Sequence, residues 1–180
     1  GSLNRYKYAE TNLLKSQKIW EEQFGKHHPK YAISLDYLAI IYLRMARYFD
    51  AERLMLKSKE IKETKLDKYH PDYVTSLSHL AELYENMGRY SDAEPFMRET
   101  KEIRKLQVGE NHPDYAISLN NLAELYVNMG YYRKAEPLYL ESMAILKVQL
   151  GEDNHKYANS IHNLALLYEI MGRYSDAESL

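Results

Sequence analysis

A period of 42 residues runs through the chain and restricts its fold more than any other feature. Tyr, Leu, Ala and Met recur at this spacing in four or five successive places, and 13 of the 18 tyrosines belong to the series. The columns are Tyr31, Tyr73, Tyr115, Tyr157; Leu38, Leu80, Leu122, Leu164; Ala39, Ala81, Ala123, Ala165; Tyr42, Tyr84, Tyr126, Tyr168; Met45, Met87, Met129, Met171; Tyr6, Tyr48, Tyr90, Tyr132, Tyr174; and Ala9, Ala51, Ala93, Ala135, Ala177. Such a period predicts stacked repeats rather than a parallel sheet or a compact four-helix bundle.

Each repeat reads as two helices, A and then B. The apolar residues from Tyr73 to Met87 are three or four positions apart, which is the pattern of an amphipathic helix. Asp72 is expected near the N-cap of this helix, and Gly88 offers a left-handed stop. A second helix opens at Ser91 and runs to about Val108. Because one helix pair cannot bury both of its faces, the pairs are expected to stack into an all-α solenoid.

The predicted organisation is a single array over residues 1–180. It comprises a helix B over 5–24, complete repeats over 30–66, 72–108 and 114–150, a helix A over 156–172, and the start of a helix B over 175–180. The first helix B lacks a helix A, and the last helix A is followed by only a short piece of helix B. These two helices are expected to complement each other between molecules, which gives a possible head-to-tail self-association.

Composition excludes several classes of function. The net charge is −2 and the pI is near 6.4, so neither nucleic acid nor a membrane surface is an expected partner. The sequence has no cysteine and no apolar stretch of the roughly 18 residues that a membrane-spanning helix needs. No secretory signal is visible at the start of the sequence, and the expected location is the cytoplasm.

No residue constellation indicates catalysis, and neither a cofactor nor a metal site is expected. His28, His70 and His112 recur once per repeat before a proline, and stacking would keep them too far apart to share a metal ion. We interpret them as loop histidines that hydrogen-bond the turn. Because the sequence contains no phosphate-binding loop, zinc-protease motif or nucleophile elbow, the chain is predicted not to be an enzyme.

The repeat resembles a known family. Residues 121–126 (NLAELY), followed by Met-Gly at 129–130 and AEPL at 135–138, resemble the tetratricopeptide repeat in its long, 42-residue form. Residues 108–115 (VGENHPDY) resemble the linker of kinesin light chain repeats. Two departures are visible: residues 154–157 (NHKY) lack the His-Pro-Asp of the other linkers, and Ala46 stands where the other repeats have Gly. The resemblance implies a right-handed superhelix that binds a protein or peptide.

The resemblance also implies where a ligand lies, because helix A lines the concave groove in this family. The corresponding positions are Ile33, Asp36, Ile40, Leu43, Arg44, Thr75, Ser78, Glu82, Glu85, Asn86, Ile117, Asn120, Glu124, Val127, Asn128, Asn159, His162, Leu166, Glu169 and Ile170. Five of these are carboxylates and one is a cation, so a segment carrying Lys or Arg is the favoured ligand. Asparagines at these positions are expected to bond its backbone, because an amide both donates and accepts.

Two known binding modes of the family fit poorly. Chaperone-binding tetratricopeptide domains hold a carboxylate with Lys and Arg, which are missing here beside Asn121 and Asn163. Kinesin light chains take tryptophan-plus-acidic cargo motifs in a basic groove, whereas this groove is predicted to be acidic. The remaining alternative is an architectural or self-associating array whose groove is unused, with a kinesin light chain-like cargo adaptor as a further variant.

Overall fold

The computed structural model describes residues 2–180, with side chains from residue 4 onward; Gly1, the first residue of the predicted array, lies outside this range. Over the described residues the chain forms helices and no strands. The helices are α1 (Ser2–Phe24), α2 (Pro29–Arg44), α3 (Tyr48–Lys65), α4 (Pro71–Asn86), α5 (Tyr90–Val108), α6 (Pro113–Asn128), α7 (Tyr132–Leu150), α8 (His155–Ile170) and α9 (Tyr174–Glu178). They form two compact units, Gly1–Arg89 (unit 1) and Tyr90–Leu180 (unit 2).

Helices that follow one another in sequence pack together within each unit. In unit 1, α2 lies against both α1 and α3, and α4 lies against α3. In unit 2, α6 lies against α5 and α7, and α8 lies against α7 and α9. The even-numbered helices are the predicted A helices, and the odd-numbered ones are the B helices. This pairing of consecutive helices agrees with the predicted all-α solenoid.

Histidines start three of the A helices. Nδ1 of His28, His70 and His112 accepts a hydrogen bond, 3.1 Å long in each case, from the backbone N–H two residues further on. Asn154 does the same with its Oδ1 atom before α8. The interpretation of these histidines as turn-bonding groups is confirmed. The N-cap of α4 is therefore His70 and not Asp72, because Asp72 is already inside the first turn and supplies the N–H donor.

The A helices end in a left-handed residue. Gly88, Gly130 and Gly172 have φ angles of 68°, 76° and 72°. Ala46 takes the same conformation at the end of α2, with φ 57°, although it carries a Cβ atom. The repeat geometry therefore overrides the local preference of alanine at this position, at a cost of roughly 1–2 kcal/mol.

Small side chains let helices A and B approach closely. Ala39 on α2 and Ala123 on α6 are 0% exposed, as are Ala51 on α3 and Ala135 on α7. A buried serine then links the backbones. Ser58 Oγ donates to the Ala32 carbonyl oxygen at 3.0 Å in unit 1, and Ser142 Oγ donates to that of Ala116 at 2.7 Å in unit 2. The columns of the repeat are therefore packing positions.

Arginines fasten the turn after helix A to the preceding helix B. Arg47, Arg89 and Arg173 each pair with a glutamate 37 residues earlier, at N–O distances of 2.7 to 3.0 Å; the partners are Glu10, Glu52 and Glu136. Each guanidinium also lies over the ring of a column tyrosine.

Among the described helices, none combines the length and the apolar character that crossing a lipid bilayer requires.

Candidate functional site

Unit 1 carries a groove between its two A helices. We call the surface formed by α2 and α4 the unit 1 groove; it contains two adjoining clefts that share Ile40 and His79. The larger cleft, of about 430 Å³, is lined by Ile40, Leu43, Arg44, Tyr48, Met55, His79, Glu82 and Asn86. The smaller cleft, of about 230 Å³, is lined by Ile33, Asp36, Tyr37, Ile40, Lys62, Asp72, Thr75 and His79.

Most of the site residues predicted in unit 1 line these clefts. Arg44, Glu82 and Asn86 are exposed and lie at the larger cleft, Asp36 lies at the smaller one, and Ile40 lies at both. Ser78 and Glu85 are not among the lining residues of either cleft. The Ser78 hydroxyl donates to the Val74 carbonyl oxygen of its own helix at 3.2 Å, and Glu85 is half-buried.

A buried ion pair forms part of the smaller cleft. The Lys62 ammonium on α3 donates to the Asp36 carboxylate on α2 and, at 2.7 Å, to the Ser76 hydroxyl on α4. The two charged side chains are only 3% and 13% exposed. Asp36 is therefore paired with a cation from a B helix, which lies outside the predicted A-helix positions, and its charge is largely balanced within the chain.

His79 lies at the boundary of the two clefts. Its Nδ1 atom is buried and has no hydrogen-bond partner within the part of the chain that the structure describes. Tyr37, which lines the smaller cleft, keeps 58% of its surface exposed. Neither residue is among the predicted groove positions, because both occupy the neighbouring column, which holds Asn121 and Asn163 in the other repeats.

In unit 2 the predicted site residues lie on α6 and α8. Glu124 and Asn128 on α6 are exposed, and so are Asn159, His162 and Glu169 on α8. Asn120 is half-buried, and its Oδ1 atom is buried without a partner among the described residues. Burial, reinforced by the negative charge of Glu124, raises the pKa of Tyr139 on α7. The carboxylate of Glu124 therefore lies close enough to the Tyr139 hydroxyl for its charge to oppose ionisation of the phenol.

Comparison with protein families decides what the fold is. The tetratricopeptide repeat model matches residues 2–64, 37–105, 72–147 and 114–180, which together span nearly the whole chain. The chain is a member of the tetratricopeptide repeat family. Repeats of this family imply a protein-interaction scaffold. No curated protein matches the tetratricopeptide repeat chain closely enough to count as a relative.

Solved structures resemble the tetratricopeptide repeat chain in fold. A Podosopora anserina protein, described as a kinesin light chain with nearly identical TPR-like repeats, superposes with a TM-score of 0.87 at 23% identity, over 99% of this chain and 84% of that one. BtubC (BKLC) from P. vanneervenii gives a TM-score of 0.84 at 20% identity, over 99% and 71%. MamA gives 0.64 at 16% identity, over 93% and 81%.

Proposed function

We propose that this tetratricopeptide repeat chain is a non-catalytic scaffold of the cytoplasm that binds peptide segments of partner proteins on the faces of its A helices. The observation that carries the proposal is the pair of adjoining clefts in the unit 1 groove. Their walls combine apolar side chains such as Ile40 and Leu43 with polar groups such as Asn86 and Glu82. A groove whose apolar residues take side chains of a bound segment and whose polar groups fix its position is a recurring form of peptide site.

A segment carrying Lys or Arg is the proposed ligand, and the charges support it more strongly in unit 2. The clefts of the unit 1 groove hold three carboxylates, Asp36, Asp72 and Glu82, against two cations, Lys62 and Arg44. The groove positions of α6 and α8 hold Glu124 and Glu169 and no Lys or Arg. A surface with an excess of negative charge attracts a positively charged ligand and repels a negatively charged one.

The proposal predicts a charge-specific loss of binding. Fluorescent peptides with Lys or Arg beside apolar residues are expected to bind saturably in an anisotropy titration, more weakly as salt rises. Glu82→Lys combined with Glu124→Lys should weaken this binding at least about tenfold, which corresponds to about 1.4 kcal/mol. The matched control is Glu60→Lys with Asp153→Lys, because both residues are exposed, lie outside the A-helix faces and carry the same charge.

Two outcomes would contradict this proposal. Equal weakening by the control pair would show that only net charge matters and not the groove. Preferential binding of acidic, tryptophan-containing peptides would reverse the proposed charge preference and favour a kinesin light chain-like cargo adaptor.

Self-association is the second candidate function. It is favoured by two residues that are exposed although the residues in the same columns of other repeats are buried. Ile19 on α1 is 52% exposed, whereas Ile61 and Ile103 in the same column are 4% exposed. Ala158 on α8 is exposed, whereas Ala116 in its column is 0% exposed. Ile19 on α1 and Ala158 on α8 therefore mark two exposed packing surfaces that a second copy of the chain could cover. In a head-to-tail contact, residues 5–10 would replace residues 173–178, which share the Arg-Tyr and Ala-Glu pattern.

Sedimentation equilibrium tests this second candidate. The wild-type chain is expected to gain mass with concentration, and Ile19→Asp or Ala158→Asp should each shift it towards the monomer. Val148→Asp is the control, because Val148 is 80% exposed on α7 and has no part in the proposed contact. A monomer mass at every concentration would eliminate head-to-tail association.

A further inference from the structure

The smaller cleft of the unit 1 groove has an uneven set of charges. Its own cation, Lys62, is buried and already bonded to Asp36 and Ser76. Asp72 also lines the cleft, and its side chain is 45% exposed. The neighbouring His70 places its Nδ1 atom 3.9 Å from the Asp72 carboxylate, but this nitrogen accepts the backbone N–H of Asp72. The accessible charge of the cleft is therefore the Asp72 carboxylate.

An aromatic ring lines the same cleft. Tyr37 is 58% exposed, although tyrosines in the packing columns such as Tyr42 and Tyr84 are at most 7% exposed. Ile33 and Ile40 form the apolar part of the lining, and Thr75 and His79 complete it on the α4 side. The cleft thus offers a flat ring, an apolar wall and one accessible carboxylate, that of Asp72, to a side chain that enters it.

Both lysines and arginines of the chain lie over tyrosine rings, and Lys59 over Tyr73 also pairs with Glu63. The arginines come closer to the rings, since the lysine Nζ atoms lie 4.8 to 5.7 Å from the centroids. Three arginines lie over tyrosine rings, with Cζ 4.0, 4.6 and 4.3 Å from the ring centroids of Tyr42, Tyr84 and Tyr168. Each of them, as described above, also pairs with a glutamate. A planar guanidinium suits both contacts at once, since it stacks on a ring and bonds a carboxylate through its N–H groups. The smaller cleft supplies a ring and a carboxylate, and its lining residues include no arginine.

We infer that the smaller cleft of the unit 1 groove binds an arginine side chain of the partner, with the guanidinium between the Tyr37 ring and the Asp72 carboxylate. This inference rests on the proposed function and specifies the ligand at one position of that groove. An arginine fits better than a lysine, because a compact ammonium cannot stack and pair in the same way. The residues Ile33 and Ile40 would cover the aliphatic part of the arginine side chain.

The test is an NMR titration with small probes. Acetyl-arginine methylamide is expected to shift the backbone amide signals of Tyr37, Thr75 and His79 saturably, with a dissociation constant in the millimolar range. Acetyl-lysine methylamide should bind at least about threefold more weakly. The neutral isostere acetyl-citrulline methylamide should cause no saturable shift of these amide signals. Asp72→Asn and Tyr37→Leu should each weaken arginine binding about fivefold or more. Asp72→Asn keeps the helix cap, because the capping hydrogen bond uses the backbone N–H of residue 72.

Asp114→Asn is the matched control, since Asp114 follows the capping His112 as Asp72 follows His70, but the residue 35 positions before it is His79, whereas the residue 35 positions before Asp72 is Tyr37. It should leave arginine binding unchanged. Equal binding of the citrulline probe, unchanged binding by Asp72→Asn, or no saturable shift at these amides would overturn the inference. Basic peptides could still bind in the anisotropy assay and lose affinity with Glu82→Lys and Glu124→Lys. In that case the proposed function would stand, and only the arginine site in the smaller cleft would be rejected.

Discussion

Replacing Asp36 with alanine is expected to lower the free energy of unfolding of unit 1 by about 3–5 kcal/mol, because it leaves a buried ammonium without its counter-charge. Lys62 is only 3% exposed and its other described partner is the neutral Ser76 hydroxyl. Losing the carboxylate therefore removes the charge that balances the desolvation of Lys62. Hydrogen exchange of the α2, α3 and α4 amides measures the effect within unit 1, and urea unfolding measures it for the chain.

The double variant Asp36→Leu with Lys62→Met separates charge from packing. Replacing both members of a buried ion pair with apolar side chains is often neutral or stabilising, so this variant should recover most of the loss. Ser78→Ala is the column-matched control: Ser78 is exposed and should change the stability by less than about 0.5 kcal/mol. A loss below about 1 kcal/mol for Asp36→Ala would show that Lys62 does not depend on the carboxylate.

The sequence predicted the fold because the repeated residues are the packing residues. Ala39 and Ala123 belong to a column of alanines at which two helix backbones meet, and both are 0% exposed. A period of this length fits either helix pairs or the sheet blades of a propeller, and the three- and four-residue spacing of the apolar positions leaves helix pairs as the solution. The N-cap residues were harder to predict from the sequence, because aspartate is a more usual N-cap residue than histidine and Asp72 is two positions after His70.

The groove was only partly predictable, because its chemistry comes from more than the A helices. The Lys62 ammonium reaches it from α3, and nothing in the local sequence pairs Lys62 with Asp36, which lies 26 residues away. The same column holds Trp20, Arg104 and Leu146 in the other B helices, so the repeat pattern gives no signal for this ion pair. Assigning ligand positions from helix A alone therefore overestimates the negative charge of the unit 1 groove.

Enlarging a small column residue is the second substitution with a large expected effect. Ala116 on α6 is 0% exposed, packs in a cluster with Leu146 and Tyr157, and accepts the Ser142 hydroxyl at its carbonyl oxygen. Ala116→Phe should separate α6 from α7 and lower the free energy of unfolding by about 3 kcal/mol, at the upper end for overpacked cores. Phenylalanine is the appropriate probe, because the same column already accommodates Val74 on α4.

The repeat supplies its own control for this prediction. Ala158 occupies the same column on α8 but is exposed, so Ala158→Phe makes the same chemical change without a helix against it. Its effect on the free energy of unfolding should stay within about 0.5 kcal/mol. Urea unfolding of both variants measures the difference. Similar losses of stability at the two positions would mean that the lower helix propensity of phenylalanine causes the effect. A large loss at Ala116 alone would show that the column requires a small residue because two helix backbones approach closely there.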